Sequence, residues 1–129
     1  MFLLLTYQIY DGAPNLEAVA NHAIESNRFD VMMLAYHHGA WPGLEDIVQR
    51  AAQADIGVVA MKTLRGAMHQ GLMSSRADRE SYTQAAFKWV LSNPAVSGLV
   101  ISLWESAQLD EFLSASGEAP TAEDMACLQ

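Results

Sequence analysis

The chain has 129 residues, of which 51% are apolar and 17% charged, and its formal net charge is −8. That balance describes a globular domain with a core and excludes a disordered chain. The acidic surplus excludes non-specific nucleic-acid binding and offers an anionic membrane nothing to attract.

Cys127 is the only cysteine, so no internal disulfide forms, and the usage fits a reducing, cytoplasmic setting. Met1 to Leu5 is apolar but lacks a basic flank and a small-residue cleavage site, and reads as a strand rather than a targeting signal. No window approaches the roughly 20 apolar residues of a membrane span.

In chain order, Phe2 to Thr6 reads as a strand, and Asp11 to Asn15 carries dense turn chemistry, with Asn15 as a helix cap. Leu16, Val19, Ala20, Ala23 and Ile24 recur at helical spacing and predict a helix over 16–26. Phe29 to Tyr36 is an apolar run and predicts a buried strand, followed by a loop from His37 to Gly43. Leu44, Ile47, Val48, Ala51 and Ala52 predict a helix over 44–54. Ile56 to Met61 is interrupted only by Gly57 and ends in Lys62 and Arg65, with Gly66 to turn the chain. Such a run is the pattern of a strand buried on both faces of a parallel sheet, and cations at its C-terminal end mark the rim where α/β folds put their chemistry.

Residues 66–79 read as an irregular loop, and Ser81 as the cap of a helix that Asn93-Pro94 ends. Val96 to Ser102 predicts a fourth strand. Leu109, Phe112 and Leu113 share one face of a helix over 106–114. Thr121 to Asp124 has the form of a capping box opening a last helix, within which the chain stops. The alternation β-α-β-α-β-α-β-α means a parallel sheet in one domain spanning 1–129. Four such units suit a small open sheet covered on both faces, or half of an eight-stranded barrel.

The residues just after each strand share a rim: Tyr7 and Gln8; Tyr36, His37 and His38; Lys62 and Arg65; Ser102, Trp104 and Glu105. Cations, imidazoles, hydroxyls and an aromatic plane together suit an anionic, ring-bearing ligand. Adjacent residues such as His37 and His38 point different ways and read as loop, and no residues at ligand spacing suggest a metal site. Lys62, Arg65, Arg76 and Arg79 gather four of the seven basic residues, as a solvated loop or an anion site. No glycine-rich phosphate loop, GxSxG or HExxH is present. No side chain has the local company of an activated nucleophile.

Four segments nevertheless resemble the C-terminal half of the aldo/keto reductases. They are FDVMMLAYHH at 29–38, GVVAMKTLRG at 57–66, QAAFKWVLSNPAVSGLVIS at 84–102 and WESAQLDEFLSASG at 104–117. The run Trp89 to Pro94 with the Val-Ile strand after it is the most specific part. The chain is most similar to the branch whose members often carry an iron–sulfur segment. One cysteine cannot hold such a cluster, which needs four.

The resemblance implies four parallel βα units equivalent to strands five to eight of a (β/α)8 TIM barrel. It implies carbonyl reduction with NADP or NAD, and a small carbonyl substrate bound only by a complete barrel. The family's catalytic Asp, Tyr, Lys and His belong to the first four strands, so no catalytic residue is expected here. Lys62, Tyr36 and His37 are not substitutes for them. What carries over is cofactor surface: Met61 against the nicotinamide, Lys62, Thr63, Leu64 and Arg65 along the pyrophosphate, and Ser102, Trp104, Gln108 and Glu111 at the adenosine end. Met33 stands where members usually have a glutamine, and Glu105 lies where a basic pair would favour a 2′-phosphate.

A half barrel has two open edges and a sheet face without filling. The chain is therefore expected to self-associate, to pair with a complementary N-terminal half, or to refold as an open sheet. A truncated or split product is the expected origin. The other readings of the residues are a non-catalytic nucleotide- or phosphate-binding module and an assembly module.

Overall fold

In a computed structural model, the chain is described at residues 4–6, 13–40, 42–64, 76–103, 105–115 and 117–129. The elements are β1 (Leu4–Thr6), α1 (Ala13–Ser26), β2 (Val31–Ala35), α2 (Gly43–Gln53), β3 (Gly57–Met61), α3 (Arg76–Leu91), β4 (Gly98–Leu99), α4 (Ala107–Leu113) and α5 (Ala122–Cys127). The fold is α/β, with every strand pair parallel and strand order β1-β2-β3-β4 the same as chain order.

That order decides where the helices go. Each strand pairs with the one before it, and a right-handed crossover between such neighbours always lays its helix on the same face. The core shows this. Leu16, Ala20 and Ala23 of α1, Leu44, Ile47, Val48 and Ala51 of α2, and Val90 of α3 all join Met32, Leu34, Val58 and Ala60 in one cluster. The opposite face carries Val31, Met33, Ala35 and Val59, all half-buried. A parallel sheet with helices on both faces would bury both sets equally. Alternating burial along β2 and β3 is the mark of one-sided cover, so β3 is not the strand buried on both faces that its apolar run predicts.

Gly57, the gap in the apolar run, sits where the neighbouring strand approaches closely. A Cβ there would lie 3.3 Å from Val31 Cγ2 on the neighbouring strand, tighter than an ordinary contact. The ladder extends past the strand ends, with Tyr36 N–H donating to Met61 O at 3.1 Å and Val100 N–H to Ala60 O at 2.8 Å. Asn27 and Asp55, after α1 and α2, take positive φ values of 50° and 60°. Asn and Asp tolerate this left-handed position better than most residues, so each helix can turn into the next strand.

Several boundaries differ from the sequence expectation. The first helix begins at Ala13, so Asn15 lies in its first turn and is not its cap. Pro14 opens that helix because a first-turn residue needs no intrahelical N–H bond. Likewise α3 begins at Arg76, so Ser81 is interior and Arg76 and Arg79 belong to a helix, not to the 66–79 loop. The fourth strand, expected over Val96 to Ser102, pairs only at Gly98 and Leu99. The last helix does carry the capping box: Thr121 Oγ1 accepts from Asp124 N–H at 3.1 Å, and Asp124 Oδ2 accepts from Thr121 N–H at 2.8 Å. It ends at Cys127, with Leu128 folded back as its C-cap.

The 16-residue helix α3 is buried on more than one side. Val90 meets the sheet core, the ring of Phe87 lies 5.2 Å from that of Phe112 on α4, and Tyr82, Ala85 and Ala86 form a second cluster with Leu128. Beside that cluster, Lys88 Nζ lies 3.2 Å from Glu118 and 3.3 Å from Asp124. Lys88 is held above the usual lysine value, chiefly by its hydrogen bond with Glu118. Asp124 is held below the usual carboxyl value, first by the Thr121 backbone N–H. No helix among the described residues is long and apolar enough to cross a membrane.

Candidate functional site

The C-terminal end of β3 builds the centre of the rim. Met61 closes the strand on its helix-free face, beside Ala35 in register, and is buried. The chain then turns at Lys62, whose φ is 54°. A lysine at positive φ is uncommon and costs on the order of 1 kcal/mol or more, unlike the Asn and Asp examples above. The turn is fixed on both sides of it. Thr63 is only 3% exposed, and Leu64 packs on the second cluster with Tyr82, Ala85 and Leu128. Lys62 itself is half-buried.

The pairing of Ala60 with Leu99 brings the chain beyond β4 to the same end of the sheet as the Lys62 turn. Ser102 is exposed there. Gln108, in the first turn of α4, is buried, and its Oε1 accepts from Glu105 N–H at 3.2 Å. This bond satisfies a backbone donor at the opening of a helix whose N-cap Ser106 makes no side-chain cap bond. Glu111 is half-buried, and its Oε1 is buried without a hydrogen-bond partner among the described residues. An acceptor left so is costly. Met61, Lys62, Thr63 and Leu64 therefore form one fixed turn, and Ser102, Gln108 and Glu111 lie in the segment after the neighbouring strand. Arg65, Trp104, Tyr7 and Gln8 lie outside the described residues, as do the side chains of Arg76 and Arg79.

Tyr36 is a correction. Read as a rim residue, its side chain instead enters the helix layer, because it follows Met32 and Leu34 in the alternation that faces α1 and α2. Its hydroxyl donates to Glu45 Oε1 at 2.8 Å and accepts from Asn93 Nδ2 at 2.9 Å. Asn93 also donates to Glu45 Oε2 at 3.2 Å, and its Oδ1 accepts from Ala95 N–H at 3.0 Å. Burial, then Glu45, push the phenol well above its usual value, while Asn93 opposes them. Tyr36 stays protonated and acts as a structural donor, not an acid. The Trp89 ring stacks on it at 5.2 Å, and the His38 ring meets Trp89 edge-on at 5.4 Å. His37 Nδ1 turns back to His38 O at 2.9 Å, so the two imidazoles diverge.

The sequence reading missed the role of Asn93 in joining β2, α2 and the α3–β4 turn. Its signal was the Asn-Pro dipeptide, read only as a helix stop. Among the described residues no group of three or more His, Cys, Asp or Glu could hold a metal ion. Among the described residues the rim thus gathers a half-buried lysine, the buried Thr63 and the buried amide of Gln108 at one end of the sheet. No protein-family model matches this chain. No curated protein matches it either.

Proposed function

We propose that the chain is the cofactor-side half of an aldo/keto reductase-like barrel, an NAD(P)-dependent oxidoreductase that reduces carbonyls. It would contribute four βα units, strands five to eight, and no catalytic residue. The observation that carries this reading is the sheet: strand order equals chain order and the helices of the core share one face. A barrel half requires that arrangement, and a doubly wound nucleotide fold, whose strand order reverses at a switch point, does not have it. The four segments of the resemblance fall on β2, on β3 and its turn, on α3–β4, and on α4.

In this reading the Lys62–Leu64 turn would hold a dinucleotide's pyrophosphate, Met61 would meet the nicotinamide, and Ser102, Gln108 and Glu111 would hold the adenosine end; Arg65 and Trp104, assigned to the same surface by the resemblance, lie outside the described residues. When bound, the cofactor supplies hydride to a carbonyl carbon. The proton for the carbonyl oxygen would come from the family's tyrosine, which only a partner half carrying the first four strands could supply. This chain's residues hold and orient, and the strained Lys62 turn is the kind of backbone that binding sites retain.

Titration of NADH and NADPH against the isolated chain, followed by nicotinamide fluorescence, tests the proposal. Binding by millimolar cofactor, weakened by Lys62→Ala, is expected. Silence with both cofactors at that level overturns the binding role. Carbonyl turnover by this chain alone overturns the absence of a catalytic set. The alternative, a self-associating module with no cofactor, is favoured by an apolar groove beside β4 and by a sheet face that no helix of the core covers among the described residues.

A further inference from the structure

We infer that the groove beside β4, with the face of the sheet opposite the helices of the core, seats a second copy of this chain. The inference rests on the half-barrel reading of the fold and not on the oxidoreductase assignment. The large apolar side chains that stand exposed among the described residues are Leu91, Val100, Leu103, Leu109 and Leu113, at 36–63% exposure. All five line one groove of about 450 Å³, whose floor includes Phe87, Leu99 and Phe112. No lining residue is charged. Exposed apolar residues scattered singly need no explanation, but their convergence on one surface marks an interaction site.

Two observations select a second copy as the occupant. First, the sheet is parallel, and among the described residues β1 and β4 each pair with one strand only. The chain thus carries both halves of a matched contact, the outer edge of β4 and the outer edge of β1. Two copies about a two-fold axis pair β4 of each with β1 of the other, giving eight parallel strands, a number at which side chains fill a closed barrel. Second, that closure encloses Val31, Met33, Ala35 and Val59, an uncharged, half-buried set on the face opposite the helices of the core among the described residues.

Charge supplies a distinguishing signature. Each copy carries −8, so association driven by apolar surface strengthens as salt screens the repulsion, whereas a basic partner would bind more weakly. Sedimentation velocity of the full chain, at two salt concentrations, tests this. The expected result is a dimer whose dissociation constant falls with added salt and rises at least tenfold in Leu113→Glu and in Leu103→Lys. Both positions are more than half exposed in the monomer, and an unchanged far-UV circular dichroism spectrum checks that each variant folds. A wild-type monomer at 100 µM, a monomer that instead captures a different chain, or a dimer indifferent to both substitutions would each overturn the inference. Since cofactor titration does not enter, failure here is separable from failure of the oxidoreductase reading.

Discussion

The β2–β3 region and the β4–α4 region are built from equally apolar sequence, and they end in opposite states. In the first, Met32, Leu34, Val58 and Ala60 lie under α1, α2 and α3 and are sealed from water. In the second, Val100, Leu103, Leu109 and Leu113 stand at a groove mouth, while the polar Gln108 is the buried residue of α4. The difference is one of neighbours. A central strand has a βα unit on each side, so its helix-facing residues meet a complete wall. The end strand has one, and its apolar residues face outward. Apolar periodicity tells which face of an element needs cover, not whether the chain supplies it.

Substitution at Leu34 and at Leu113 tests the contrast most directly. Leu34→Ala, at a side chain 1% exposed, should lower unfolding free energy by about 2–5 kcal/mol in urea. Leu113→Ala, at 63% exposure, should stay within about 0.5 kcal/mol under dilute, monomeric conditions. Equal losses would abolish the distinction between the two regions.

Asn93 sharpens it, because this residue ties the sealed region to the turn that leads into β4. Asn93→Ala removes the donors to Tyr36 and Glu45 and the acceptor for Ala95 N–H. A loss of about 1–3 kcal/mol is expected. Combined with Tyr36→Phe, the two losses should fall short of additive, since both report one network. Full additivity in the double-mutant cycle would refute the coupling.

The smallest effect is local and pH-dependent, at the C-terminal helix. Asp124 has a folded value below its ordinary one. Its contribution is therefore present above the unfolded carboxyl value, near pH 4, and is lost as pH falls through the lower folded value. Lys88 is shifted upward, so its share is present below the ordinary lysine value and lost as pH rises through the higher folded one. Amide exchange over 122–127 should rise at both extremes, and Asp124→Asn should remove the acid-side change. An acid response unaltered in that variant would exclude the Thr121–Asp124–Lys88 contacts as its source.

The sequence made the centre of the molecule readable because two signals agree there. Apolar runs mark β2 and β3, and helical spacing marks α1 and α2, while the left-handed turns at Asn27 and Asp55 emerge only from the structure. The misjudged points are places where a local signal had two physical meanings. Pro14 can end a turn or open a helix. Residues 76–80, Arg-Ala-Asp-Arg-Glu, lack apolar spacing yet are mostly good helix formers. The run from Val96 to Ser102 has the composition of a long strand, but the ladder is set by the neighbour, and only Gly98 and Leu99 pair. At the rim, Lys62 was visible as a cation at a strand end. Its left-handed backbone was not, because no residue type there announces it. Tyr36 was misplaced by one consideration alone: position after a strand gives the rim, while alternation along the strand gives the face.

The identity of strand order and chain order also bears on how the molecule comes apart. Strand pairing runs only between neighbours in sequence, as in a solenoid, so stability behaves as a chain of local terms and nearest-neighbour couplings. Heating such an array frays it from its two ends inward, and the amides of β2 and β3 would be the last to exchange. The Tyr36–Asn93 link, which reaches 57 positions along the chain, is a staple against that unzipping, holding an outer turn to the middle of the array.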